Sequence, residues 1–174
     1  DGNPDEPRVF IGTLMNLGST LTLVAQGPAG KQLKVEVIDA TGKIADFFLT
    51  LTGAKQNYPL SLTGPEIPAG FDKTRIAQIN FTADRLKMGD SGTVTVEVPG
   101  INFVIPVAPP TYDPSLLSTL PESPSLSGQG VNGGVIAYNQ SSSREFSFDY
   151  TLAGSDDFVF AQLVLVKVCL ALRV

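Results

Sequence analysis

The chain has 174 residues, enough for one domain with its own core, and it carries 12 basic against 17 acidic residues. The net charge of −5, with basic residues scattered singly, excludes the Lys/Arg stripe that nucleic-acid binding requires and argues against binding to anionic membranes. Charged residues make up only 17% of the chain, below the usual quarter, so its surface is unusually neutral. Such a surface fits either an uncharged polar exterior or large subunit contacts.

Short runs in which apolar and polar residues alternate recur along the whole chain and predict β-strands separated by turns. Residues 8–12 and 20–25 form the first two runs. In residues 33–37 the apolar side chains fall on one side and the charged ones on the other, as in a strand with one face in water. The turn sequence at residues 39–42 joins this strand to the run at residues 43–51, and we expect the pair to form a hairpin.

The middle of the chain is predicted to hold further strands and one short helical turn. Strands are expected at residues 58–62 and 75–81. Thr82 suits the cap of a helical turn at residues 83–88, and Asp84 suits its positive end.

A second hairpin is predicted at residues 93–107. Val94, Val96 and Val98 alternate with polar residues, a Pro-Gly turn follows, and the run at residues 101–107 completes the pair. We expect both strands to lie in one half-exposed sheet.

Residues 108–130 are rich in Pro, Ser and Gly and are long for a loop, which is typical of functional or linker segments. The residues that follow are too few to bury an independent core, so we interpret the segment as an excursion within one domain that spans residues 1–174.

The last part of the chain alternates strongly, with Phe146, Phe148 and Tyr150 on one side of a strand. A turn at residues 154–157 leads into an apolar closing strand. The apolar run at residues 158–174 is too short for a membrane-spanning helix and contains charged residues.

Many short strands, almost no helix and no internal repeat predict an all-β domain, a single β-barrel or sandwich. A jelly roll is our first expectation because the number of strands fits eight core strands with a few peripheral ones. An immunoglobulin-like sandwich is the alternative.

The absence of histidine from the chain excludes Ser-His-Asp and Cys-His catalysis and most zinc sites. Carboxylate pairs remain, and Asp156 and Asp157 lie next to each other, but solvated loop acids are far commoner than catalytic ones in such a turn. The lone Cys169 has no partner for an internal disulfide and is interpreted as a small core residue. We therefore predict no enzyme activity, no catalytic residues, no metal ligands and no cofactor.

Two other patterns are assigned structural roles. Gly128, Gly130 and Gly133 match G-x-G-x-x-G, but a dinucleotide site needs a strand before the motif and a helix after it, so we predict a flexible glycine turn. The phenylalanines within strand runs are expected in the core rather than on a sugar-binding face. These are Phe47, Phe48, Phe103, Phe146, Phe148, Phe158 and Phe160.

Taken whole, the chain resembles the smaller major capsid protein of icosahedral Thermus bacteriophages that enclose an internal lipid membrane. The likeness rests on the size, the opening DGNPDEPRVFIGTLMNLGSTLTL, the succession of strands and the closing FAQLVLVKVCLALRV. It implies a single β-barrel that stands upright in the virion capsid and assembles with itself and a larger coat protein over the membrane. No catalytic residues carry over from it.

The resemblance and the neutral surface together suggest where subunits meet. We expect a homodimer in which part of the 108–130 excursion crosses to the neighbouring subunit, since exchange of such an arm is a low-cost route to dimers. The candidate arm residues are Pro109, Pro110, Tyr112, Leu116 and Leu117. Contact with the internal viral membrane is a further expectation, whereas nucleic acid and small-molecule substrates are not expected.

Two other classes of protein remain open. A bacterial surface adhesin, a pilin or a carbohydrate-binding module would share the predicted sandwich. An enzyme that uses only carboxylates is the third class, and it would lose a measurable hydrolase activity when single Asp or Glu residues are replaced.

Overall fold

The computed structural model describes residues 14–103 and 124–165, together with the backbone of residues 10–11 and 169–170. In this part of the chain no helix is long and apolar enough to cross a membrane. The elements are β1 (Phe10–Ile11), β2 (Thr20–Gln26), β3 (Gln32–Asp39), β4 (Ile44–Thr50), β5 (Gln56–Ser61), β6 (Ile76–Asp84), α1 (Arg85–Met88), β7 (Ser91–Glu97), β8 (Ser125–Val131), β9 (Val135–Gln140), β10 (Glu145–Thr151), β11 (Phe158–Val164) and β12 (Cys169–Leu170).

Ten of these strands form two five-stranded antiparallel sheets that pack face to face, so the predicted all-β sandwich is confirmed. Sheet I has the order β5-β2-β7-β10-β9, and sheet II has the order β4-β3-β6-β11-β8. The short strands β1 and β12 pair with each other.

The two sheets are the two halves of one sheet folded across its middle. Five long strands, β2–β3, β4–β5, β6–β7, β8–β9 and β10–β11, each run half in one sheet and half in the other, and they keep the same neighbours in both. Their bends line up along one side of the sandwich, which we call the corner. The corner consists of residues 27–31, 51–55, 85–90, 132–134 and 152–157.

The hydrogen-bonding register continues through the corner in the centre of the molecule. Ser91 pairs with Thr151 in sheet I, and Asp84 pairs with Phe158 in sheet II, so six residues bridge the bend on each strand. Because every long strand crosses from one sheet to the other, the arrangement is consistent with the jelly-roll type of sandwich.

The core lies between the sheets and follows from the strict alternation of the strands. The inward-facing residues of β3 and β10, such as Leu33, Val35 and Phe148, are fully buried. Phe81 of sheet II meets Phe146 of sheet I edge-on, with ring centroids 5.4 Å apart, and this contact joins the sheets. The hydroxyl of Tyr150, which is also buried, donates a hydrogen bond to the Met88 carbonyl at 2.9 Å.

The excursion predicted at residues 108–130 ends earlier than expected, because residues 125–131 form strand β8 at the edge of sheet II. The sequence pattern did not predict this strand because it is rich in Ser and Gly, and Leu126 is the one fully buried apolar side chain in it. The predicted glycine turn is likewise confined to the residues after β8, since Gly128 and Gly130 lie in the strand.

The hairpin predicted at residues 93–107 is wrong in the part that the structure describes. Strand β7 has β2 on one side and β10 on the other, so no position beside it remains for residues 101–103. Ile101 and Phe103 instead leave the Pro-Gly turn and enter the core.

The short helix has a different cap from the predicted one. It is capped by Asp84, whose side chain accepts the Lys87 amide hydrogen at 3.1 Å. Thr82 cannot serve because β6 continues past it to pair with β11.

Some predictions concern residues outside the described part of the chain. The arm residues Pro109, Pro110, Tyr112, Leu116 and Leu117 fall there, and so does the side chain of Cys169.

Candidate interaction surface

The adjacent acids Asp156 and Asp157 do not form a catalytic pair. Asp157 is buried, and one carboxylate oxygen accepts the amide hydrogens of Ala153 and Gly154 at 2.9 and 2.7 Å. Asp156 is exposed. Because the buried acid is occupied in holding its own turn, the two carboxylates do not converge on a common point.

Asp39 is the other acid that is buried in the described part of the chain, and it is also structural. Its carboxylate accepts hydrogen bonds from the Thr41 amide and hydroxyl, the Lys43 amide and the Asp72 amide, at 2.7 to 3.0 Å. Burial raises the pKa of this carboxyl, but these hydrogen bonds outweigh burial and lower the pKa to about 2. Asp39 thereby ties the β3–β4 turn to the loop before β6. No group of three or more potential metal ligands occurs among the described residues.

A polar network lies on the outer face of sheet II. Lys34 forms ion pairs with Glu36 at 2.7 Å and with Asp46 at 3.3 Å, and the Asn80 amide donates to Glu36 at 2.9 Å. Partial burial raises the pKa of Glu36, but the hydrogen bonds from Lys34 and Asn80 outweigh burial and lower it. The alternation of β3 already placed Lys34 and Glu36 in water, whereas Asn80 could be assigned to them only once β6 was known to lie beside β3.

An open depression of about 420 Å³ lies on this face next to the network. The aromatic rings of Phe158 and Phe160 stack there with centroids 6.5 Å apart. Both are half-buried on the outside of the sandwich, so the prediction that they belong to the core is wrong. We call this site the sheet II depression; its lining residues are Lys34, Glu36, Asn80, Thr82, Asp84, Phe158 and Phe160.

An apolar patch lies at one margin of sheet II, along its outermost strand β4. Ile44 and Phe48 are 43% and 49% exposed, and Leu86 of α1 is 87% exposed. The Lys87 ammonium group lies 3.6 Å from the centre of the Phe48 ring, within the range of a cation–π contact. We call Ile44, Asp46, Phe48, Leu86 and Lys87 the β4 patch.

Phe48 was predicted to be in the core. Two phenylalanines follow each other in β4, and the alternation of a strand can bury only one of them. Phe47 packs against the core and Phe48 faces outward.

The outer face of sheet I carries short hydroxyl side chains, with the carboxylates of Glu97, Glu145 and Asp149 among them. Thr93, Thr95 and Ser147 lie next to one another across β7 and β10. An ion pair between Lys55 and Glu145 crosses its margin. Short hydroxyl side chains on a sheet face are suited to close contact with another surface.

Comparisons of the chain with protein-family models, with curated proteins and with solved structures found no match. What bears on function is therefore the geometry itself, which consists of two outer sheet faces, the sheet II depression and the β4 patch.

Proposed function

We propose that this chain is a structural coat protein whose outer surfaces assemble it, with further copies and a larger companion protein, into an icosahedral capsid over an internal membrane. The observation that carries the proposal is the exterior of the sandwich, where a sheet face rich in short hydroxyl side chains and an exposed apolar edge lie on the same domain. The buried acids are occupied in tying turns together, which leaves the outer surface as the part of the described chain available to partners.

Low charge supports this role physically. Charged residues are depleted at the centre of protein interfaces because a buried charge without a partner is costly. A chain with 17% charged residues loses less by covering much of its surface than an average domain does. The resemblance to the phage capsid protein adds the form of assembly, a closed shell, and the companion.

The test is assembly of the purified protein, measured by sedimentation and negative-stain electron microscopy, alone, with lipid vesicles, and with extract from its source. The proposal expects discrete oligomers at micromolar concentration and sheet-like or shell-like particles when the companion is supplied. A chain that stays monomeric under all three conditions would contradict it.

The sheet II depression favours a second candidate function, a carbohydrate-binding module. Stacked aromatic rings beside hydrogen-bonding groups that are already held in place are the features a sugar ring requires, one for its apolar face and the other for its hydroxyls. Phe160 and Asn80 supply one of each.

Glycan-array binding of the intact protein tests this candidate, with Phe160→Ala as the site variant. Binding that falls at least about tenfold in this variant and is unchanged in Val135→Ala, at an exposed position of sheet I, would support it. An array without signal would remove it.

A further inference from the structure

The outer edge of strand β4 is open for strand pairing. The Asp39 amide donates to the Lys43 carbonyl at 3.0 Å, and the Leu51 amide donates to the Lys31 carbonyl at 2.7 Å. In residues 43–51 the backbone N–H and C=O groups of the odd-numbered residues therefore point toward β3. Antiparallel ladders alternate, and the backbone groups of Ile44, Asp46 and Phe48 therefore point away from β3. No described strand lies on that side.

The strand that continues this edge into sheet I is protected in a way that β4 is not. Just after β5, the Leu62 amide bonds the Ser19 carbonyl at 2.9 Å. The even-numbered residues of β5 therefore direct their backbone groups toward β2, and Pro59 lies at an outward-facing position. A proline there has no N–H to offer another strand, which is a common protection of sheet edges. Strand β4 has no proline and carries a single charged residue, Asp46.

We propose that β4 is a self-association strand, which pairs antiparallel with β4 of a second copy about a twofold axis and joins the two copies of sheet II into one ten-stranded sheet. The inference rests on the proposed role in assembly and deepens it by naming the edge and the partner.

Several registers place the residues whose backbone groups point away from β3 opposite the same set in the second copy. Charge selects one of these registers. If Asp46 lay opposite Asp46 of the second copy, two carboxylates would meet, and if Phe48 lay opposite Phe48, the two Lys87 ammonium groups above these rings would meet. The intermediate register places Asp46 opposite Phe48 of the second copy. Each carboxylate then lies beside the other copy's Lys87, and opposite charges pair on both sides of the axis.

The same register covers the apolar residues of the strand. Phe47, half-buried at the margin of the core, lies opposite its own copy at the twofold axis, where the side chains of a non-hydrogen-bonded pair approach closely. Ile44 lies opposite Thr50, whose outward carbonyl also accepts a hydrogen bond from the Tyr58 hydroxyl at 2.8 Å, so the pairing rests mainly on the backbone groups of Asp46 and Phe48. The exposed rings of both Phe48 residues become neighbours on one face of the joined sheet.

Charge reversal tests the pairing by sedimentation equilibrium of the full-length protein. Asp46→Lys and Lys87→Glu each place like charges together twice in a homodimer, and each is expected to weaken self-association roughly tenfold or more. A mixture of the two variants restores two attractive pairs. The lysine introduced in one variant faces the glutamate introduced in the other, and the native Asp46 faces the native Lys87. We expect heterodimers with an affinity close to that of the wild type.

Circular dichroism and thermal unfolding of each variant establish that it is folded, and Asp156→Lys, at an exposed turn residue outside the β4 patch, is the matched control that leaves the dimer unchanged. A dimer that ignores both reversals, or variants whose mixture shows no recovery, would overturn the β4 pairing while leaving the coat proposal in place. A wild-type protein that is monomeric in all conditions of the assembly test would overturn both.

Discussion

At the scale of single residues, the polar groups inside this protein serve the backbone. Asp39 and Asp157 each accept amide hydrogens from a turn, and Tyr150 binds a carbonyl at the end of α1. Among the described residues, no buried side-chain nitrogen or oxygen lacks a hydrogen-bond partner. An unsatisfied buried polar group costs about 1 to 3 kcal/mol, so these residues are critical to stability rather than to chemistry.

Replacing Asp39 with asparagine should therefore destabilise the protein by roughly 2 kcal/mol at neutral pH, because one carboxylate oxygen becomes an NH₂ group that cannot accept the amide hydrogens it now receives. Urea unfolding measures this change. Asp156→Asn, in an exposed turn, is the control and should stay within about 0.5 kcal/mol of the wild type.

Asp39 should also contribute to the pH dependence of the free energy of unfolding. The pKa of Asp39 is about 2 in the folded chain against an ordinary value of 3.8, so its contribution to stability is complete above the ordinary value and is lost as the pH falls toward 2. Urea unfolding between pH 5 and 2 should show a smaller decline in Asp39→Asn than in the wild type. Equal declines in the two proteins would contradict this assignment.

At the scale of elements, the corner determines how each strand is built. The chain must turn between the sheets at five adjacent places, and glycines lie where backbones come closest. A Cβ at Gly130 would lie 1.6 Å from the carbonyl oxygen of Gly134, and one at Gly134 would lie 2.5 Å from that of Phe158. Two glycines of the G-x-G-x-x-G pattern are thus required by the β8–β9 bend: Gly130 for this close approach and Gly133 for its φ of +115°.

Gly130→Ala is expected to destabilise the protein by about 3 kcal/mol or more, since the clash is with backbone and no flexible side chain can move aside. Gly53→Ala is the matched control: the space around that position is open, and the free energy of unfolding should change little. Soluble yield and denaturant midpoints measure both variants. A Gly130→Ala protein as stable as Gly53→Ala would contradict the close approach of Gly130 to the Gly134 carbonyl.

At the scale of the whole molecule, a sheet folded on itself should behave as one cooperative unit. The long strands belong to both sheets, and Phe81 of sheet II packs against Phe146 of sheet I in the core. Neither sheet can open alone without exposing the apolar face of the other. The exterior that remains includes the hydroxyl-rich face of sheet I and the open edge at β4.

Truncation of Phe146 to alanine should cost roughly 3 to 5 kcal/mol, through lost burial and the cavity left behind. Hydrogen exchange measured by mass spectrometry should then rise in peptides from both sheets together. The same substitution at Phe160, on the outside of sheet II, should cost about 1 kcal/mol. Loss of protection in sheet I alone would mean that the halves open independently.

Local patterns were sufficient for the strands whose two faces meet different surroundings. In β10, and in residues 33–37 of β3, each inward residue is apolar or aromatic and each outward residue is polar, so alternation alone located both strands and their buried faces. Strand β8, which is rich in Ser and Gly, carries no such contrast, and its place depends on pairing with β11, which follows it by about thirty residues in the chain. In β4 the sequence did not determine which of Phe47 and Phe48 faces the core, because both neighbours are apolar.

The sequence by itself determined that this chain is an all-β domain with neutral surfaces and without imidazole chemistry, because side-chain alternation, charge and composition are properties of the chain read in order. Only the tertiary structure decided which strands are neighbours, where the sheet folds, and that Asp46, Phe48 and Lys87 share one margin. Such contacts join residues distant in sequence, and the free energy that selects them comes from packing the two halves of the sheet together.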